Sequence, residues 1–203
     1  MLRRPALLLA ALLVAATQMP SHAAAKPQIV DAKGDAVGGQ AGTDIVSATY
    51  ATTGTGKGRS YVAKKLVVTM TLAGDVITQP GLTYELSANT TTCGVVTFSS
   101  QNGSPYTAVT SLNGWADWGD CTKPSSNGDS AVELLTVAVK GNTLTWSMPI
   151  KMLPKGMKLG TVFSDFEGRV DPTNPAIPFP SNTTGTEMGL IDIGTGTGTW
   201  KLG

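Results

Sequence analysis

Residues 130–150, SAVELLTVAVKGNTLTWSMPI, constrain the fold of this chain more than any other stretch. On the first arm Leu135, Val137 and Val139 alternate with Thr136, Ala138 and Lys140. On the second, Leu144, Trp146, Met148 and Ile150 alternate with Thr145 and Ser147. A period of two gives each arm one apolar face, the mark of a strand. Between them Gly141-Asn142 suits a type II′ turn, in which Gly takes positive φ at the first central position. The segment is expected to be a β-hairpin with Trp146 in the core, and the rest of the chain has to cover its apolar face.

Further strands are expected over residues 44–49, 65–73, 82–88, 95–99, 106–112, 158–164, 188–193 and 199–202. In the second of these Leu66, Val68, Met70 and Leu72 share one face and Lys65, Thr69 and Thr71 the other, as in a sheet with one solvated side. A Gly-rich tip at 52–60, a loop at 113–121 and the segment 169–185, broken by Pro172, Pro175, Pro178 and Pro180, separate them. The GTGTGTW tract near the C-terminus reads as a flexible approach to the last strand. No stretch keeps a 3.6-residue apolar period. The expected fold is therefore all-β: an antiparallel, jelly-roll-like β-sandwich of about eight strands.

Arg3-Arg4, an apolar run over residues 6–16 and the small residues Ala23-Ala24-Ala25 have the order of a secretory signal, which leaves 26–203 as a single exported domain. The run falls short of the roughly 20 residues that span a bilayer, and no Cys follows it to take a lipid. The chain is expected to be secreted, with no membrane anchor. Its one His, His22, lies in that leader, so the mature chain can build neither a His-dependent nucleophile system nor a His-ligated zinc site. A glycosidase working with two carboxylates needs no His and stays open. Without Arg3 and Arg4, Lys and Arg number 13 against 14 Asp and Glu, so no basic field is available for nucleic acid. Cys93 and Cys121 are the only cysteines, and in an exported chain they are expected to pair. Closing a 28-residue loop is worth about 3–4 kcal/mol on the chain-entropy model.

Three constellations could carry chemistry. Asp31-Ala-Lys-Gly-Asp35 and, after a Gly-rich loop, Asp44 place three carboxylates around a bend, hard oxygen ligands suited to Ca²⁺; Asp165 and Glu167, or Asp192, could complete the set. Trp115 and Trp118 share a loop with Asp117 and Asp120, an arrangement able to stack and hold a sugar ring, although one indole could instead pack on the disulfide and the other cap the core. Asp165 and Glu167 in FSDFEG, on one face of a regular strand, could serve as an acid and a base, in which case Phe163 or Phe166 must turn away from the core.

The opening Asp31-Ala-Lys-Gly-Asp35 with Asp44-Ile45-Val46, followed by Leu66-Val67-Val68-Thr69-Met70-Thr71-Leu72, resembles secreted jelly-roll domains of the family 9 carbohydrate-binding and DOMON-like type. That resemblance implies a structural calcium and a sugar or haem ligand. Haem-binding DOMON domains use Met and His, and the mature chain has no His, so the sugar is the ligand carried forward. The paired Trp clamp of family 9 sugar binders is matched by Trp115 and Trp118. The expectation is a non-catalytic module binding a polysaccharide or cell-surface glycan, with a two-carboxylate glycoside hydrolase or a surface protein working through protein contacts as alternatives.

Overall fold

The computed structural model describes residues 26–38, 40–77, 81–102, 112–118, 121, 131–172 and 191–203. The expected signal at residues 1–25 and the expected strand at 106–112, apart from Leu112, lie outside these residues. Ten strands are described: β1 (Ile29–Val30), β2 (Ile45–Thr55), β3 (Val62–Leu72), β4 (Leu82–Thr90), β5 (Gly94–Asn102), β6 (Leu112–Trp118), β7 (Ala131–Lys140), β8 (Thr143–Pro149), β9 (Val162–Pro172) and β10 (Asp192–Lys201). Every pairing is antiparallel, in the order β1-β2-β3-β8-β7-β6-β5-β4-β9-β10. The all-β, antiparallel fold is as the periodicity predicts. The sheet is nearly closed as a barrel, with the edge strands β1 and β10 against each other.

One strand joins the two faces of the structure. β7 pairs with β6 through Ala131–Leu135 and with β8 through Thr136–Lys140, so it hands the chain from one half of the sheet to the other. The 130–150 hairpin forms as its alternation requires. Gly141 has φ +56° and Lys140 pairs with Thr143 around the two-residue turn. Asn142 ties this turn to β3: its Nδ2 donates to the Leu72 carbonyl at 2.8 Å, and its own carbonyl accepts the Leu72 amide at 2.9 Å.

The core lies between the two halves and is centred on Tyr50, which is fully buried. Its ring centroid is 5.0 Å from Phe166, 6.0 Å from Phe163 and 6.1 Å from both Phe98 and Trp200, tilted and edge-on arrangements that aromatic quadrupoles favour. Trp146 is buried as expected, and its Nε1 donates to the Ser99 carbonyl at 2.9 Å.

Two expectations about strands are corrected here. Residues 113–118 belong to β6 where a loop was expected, because Gly114 is a packing residue and not a turn residue: it faces inward, and a Cβ there would run into Val137 and come within 3.4 Å of Trp146. The GTGTGTW tract is the body of β10. Gly194 sits opposite Gly168 of β9, and the two bare backbones form the floor on which Ile29 and Ile45 pack. In addition, β9 runs on through Pro172, so the expected irregular segment begins later than Arg169; residues 173–185 lie outside the described residues.

Cys93 and Cys121 are bonded, with Cα atoms 3.9 Å apart, joining the turn between β4 and β5 to a position three residues past the end of β6.

Candidate functional site

The acidic constellation gathers at the seam where the first and last strands meet. Asp31 follows β1 directly. Its amide donates to the Val46 carbonyl at 3.0 Å, and its Oδ1 accepts the Ala32 amide at 2.9 Å. Gly34, at φ +95°, then turns the chain, and Val37 N–H bonds the Ile191 carbonyl at 2.8 Å, which brings the loop against the start of β10. One carboxylate oxygen from each of Asp31, Asp35 and Asp192 lies within 4.8 Å of the other two.

The third member is Asp192 and not Asp44. Asp44 is 3% exposed and spends Oδ2 on the Gly34 amide at 2.5 Å, so it shapes the bend between Asp31 and Asp35 from outside their cluster. Asp192, 147 positions after Ile45, accepts the Ile45 amide at 2.5 Å through Oδ2. Burial pushes its carboxyl up to about 6; the Ile45 hydrogen bond opposes this, and the negative charges of Asp35 and Asp31 add to it. Asp31 Oδ2 and Asp44 Oδ1 are buried with no hydrogen-bond partner.

The donor set fits a hard divalent cation. Two oxygens on opposite sides of a Ca²⁺ at about 2.4 Å are about 4.8 Å apart, and a carboxylate oxygen left buried without a donor is what a cation would satisfy. Gly194 keeps the space open, since a Cβ there would sit 2.9 Å from Asp31 Oδ2.

The tryptophan pair is separated. On β6 the alternation sends Gly114, Ala116 and Trp118 inward, and Trp118 is a core residue at 6% exposure. Trp115 and Asp117 are half-buried on the outer face, so the two indoles cannot clamp one ring. Asp120 lies outside the described residues. Asp117 Oδ1 is buried without a hydrogen-bond partner.

FSDFEG does not form a regular strand. A bulge separates Ser164 from Glu167 in the β4–β9 register, and Asp165 sits there at φ +49°. The extra residue lets Phe163 and Phe166 both point into the core. Asp165 Oδ2 accepts from Asn89 Nδ2 at 3.1 Å and from Ser164 Oγ at 3.0 Å, while Glu167 pairs with Arg169 at 2.7 Å.

Sequence reasoning missed Glu85. It lies on the outer face of β4, between Arg169 of β9 and Ser99 of β5 in register, and accepts a 3.4 Å hydrogen bond from Ser99 Oγ. Burial, then the charge of Asp171, hold its carboxyl above the usual range. As one more polar residue in the alternation of LTYELSANT, it carries no signal that a single sequence would reveal.

Comparison of the chain with protein-family models, with curated proteins and with solved structures returns no match.

Proposed function

We propose that the chain is an exported, non-catalytic module that binds a polysaccharide or cell-surface glycan, with a structural Ca²⁺ holding its N-terminal segment. The observation that carries the binding reading is the pairing of Trp115 with Asp117 on the outer face of β6: an indole beside a carboxylate whose Oδ1 is buried and lacks a donor. An aromatic face and an acceptor in want of a donor are the two things a sugar ring answers, with its C–H face and its hydroxyls. The resemblance of the N-terminal third to family 9 carbohydrate-binding and DOMON-like domains points the same way. The calcium reading is supported by the Asp31, Asp35 and Asp192 cluster, and export by the disulfide and by the order of residues 1–25. No helix among the described residues is long and apolar enough to cross a membrane.

A second reading, a two-carboxylate glycoside hydrolase, is favoured by Glu85, whose carboxyl is raised by burial and by neighbouring Asp171 and Glu167.

The test is to incubate the mature protein with insoluble polysaccharides and assay both depletion from solution and release of reducing ends. Depletion without release is expected. Release would make the chain a hydrolase, and neither depletion nor release would remove the glycan reading.

A further inference from the structure

The outer face of β9, β4, β5 and β6 carries a row that the register places side by side: Arg169 opposite Glu85, Glu85 opposite Ser99, Ser99 opposite Trp115. The adjoining row begins with Glu167 on β9 and ends with Asp117 on β6. With strands about 4.8 Å apart, the four-strand row spans about 14 Å, room for a short oligosaccharide. Its burial is unusual for the solvent side of a sheet. Ser99 is 3% exposed, Glu85 and Trp115 are half-buried, and Asp117 Oδ1 is buried without a partner.

Resting on the glycan-binding reading, we infer that this face is the saccharide site and that it takes an uncharged pyranose polymer of the β-glucan or chitin kind. Trp115, at one end of the row, is the stacking platform for a ring. Glu85 and Asp117 accept from sugar hydroxyls, and the Arg169–Glu167 ion pair, closed at 2.7 Å, gives the far end both donors and acceptors in fixed positions. The charge on the six side chains selects against acidic glycans. Three carboxylates stand against one guanidinium, which a uronate or sulfate would have to approach at short range. Neutral hydroxyls meet no such barrier.

The experiment compares wild-type protein with Trp115→Ala, Glu85→Gln and Asp117→Asn in pull-downs on microcrystalline cellulose and on chitin, with polygalacturonate as the acidic glycan. The melting temperature of each variant is recorded in calcium. Wild type is expected to bind cellulose or chitin and leave polygalacturonate in solution. Trp115→Ala should weaken binding at least tenfold and the two carboxylate variants about three- to tenfold, with melting within a few degrees of wild type. If Trp115→Ala does not fold, Glu85→Gln and Asp117→Asn decide the matter. Wild-type binding that none of the folded variants weakens overturns this site and leaves the glycan-binding reading standing. Binding to polygalacturonate in preference overturns the ligand class. Wild type that binds no glycan overturns the reading and this site together.

Discussion

Asp192 Oδ2, at the first residue of β10, accepts the backbone N–H of Ile45, at the first residue of β2, at 2.5 Å. This bond joins the beginning of the first long strand to the beginning of the last, and it lies where the nearly closed sheet has its seam. β1 adds only two residues of pairing to β2, so the edge is held by what surrounds this carboxylate: Ile29 and Ile45 on the glycine floor, and the acidic side chains of the loop after β1. A cation there would join residues far apart in the chain, and its loss would loosen the seam before the core.

Calcium is expected to raise the melting temperature. A cation bound only by the folded state at 100 times its Kd adds about 2.7 kcal/mol, or about 5–10 °C for a chain of this size. Asp35→Asn and Asp192→Asn should abolish the response, whereas Asp44→Asn should lower the baseline and retain most of it. The response also depends on pH. The Asp192 carboxyl is raised to about 6, so without calcium the folded state holds a proton that the unfolded chain has released between about pH 4 and 6. In chelator, stability should therefore rise as pH falls from 7 toward 5, by about 1 kcal/mol. In calcium it should stay nearly level over the same range, because protons and cation compete for one oxygen and what the proton adds the cation increment loses. Melting curves at pH 7 and pH 5, with calcium and with chelator, check that the two converge toward pH 5; parallel curves would count against the site.

The glycine floor offers a separate test of the seam. A Cβ at Gly196 would enter the Gln28 backbone carbonyl, whereas one at Gly194 would meet Asp31 Oδ2 at 2.9 Å and Ile29 Cγ2 at 3.1 Å. Gly196→Ala is expected to cost about 2–3 kcal/mol whether or not calcium is present, since backbone cannot yield cheaply. Gly194→Ala should cost less and blunt the calcium response by displacing Asp31. Chemical denaturation of both variants, with and without calcium, separates the two effects.

What was legible in the sequence follows from which interactions are local. Alternation along 130–150 and 65–73 is a property of consecutive residues, so the hairpin, its turn and the buried Trp146 could be read directly. Asp31 and Asp35 share one bend and were likewise visible. Asp192 is one of three distant acids that could complete the set, and it reaches the cluster because β10 closes the sheet beside β1; no spacing rule singles it out from Asp165 and Glu167. The glycines misled for a related reason. Gly114, Gly194 and Gly196 are small because another strand or side chain packs on them, yet in sequence they look like the turn-forming Gly141. The 113–118 part of β6 was lost that way, and with it the knowledge that Trp115 and Trp118 face opposite sides. Glu85 became noticeable only once the register placed it between Arg169 and Ser99.

Tyr84 should govern behaviour at high pH. It is fully buried, and its hydroxyl lies 2.9 Å from the Gly42 carbonyl and 3.2 Å from the Ile77 carbonyl, either of which can take its proton, while it accepts the Ile77 amide at 3.0 Å. Burial pushes its phenol up to about 12, partly offset by the Ile77 bond. The unfolded chain ionises near pH 10, so the stability this tyrosine contributes is complete below 10 and is lost as pH rises toward 12, on the order of 2–3 kcal/mol. Tyr84→Phe is expected to cost about 1–3 kcal/mol at pH 7 by orphaning the Gly42 and Ile77 groups. It should also shallow the decline between pH 10 and 12, which urea titrations across that range would measure.

The bulge in β9 makes the most specific demand on a single backbone position. Phe163 and Phe166 are three residues apart, and in a regular strand they would face opposite sides; both are in the core because Asp165 takes up the extra step at φ +49°. That left-handed conformation costs most residues about 1–2 kcal/mol, least for Gly and Asn, most for β-branched side chains. Asp165 recovers part of the cost by accepting from Asn89 and Ser164. Asp165→Asn and Asp165→Gly are therefore expected to stay within about 1 kcal/mol of wild type. Asp165→Val should lose about 2 kcal/mol or more, since it combines a disfavoured backbone with the loss of both hydrogen bonds. A regular strand would behave in the opposite way, with Val the best of the three and Gly the worst. The order of the three variants in thermal or urea unfolding thus decides whether β9 carries the bulge, and with it whether both phenylalanines can pack on Tyr50.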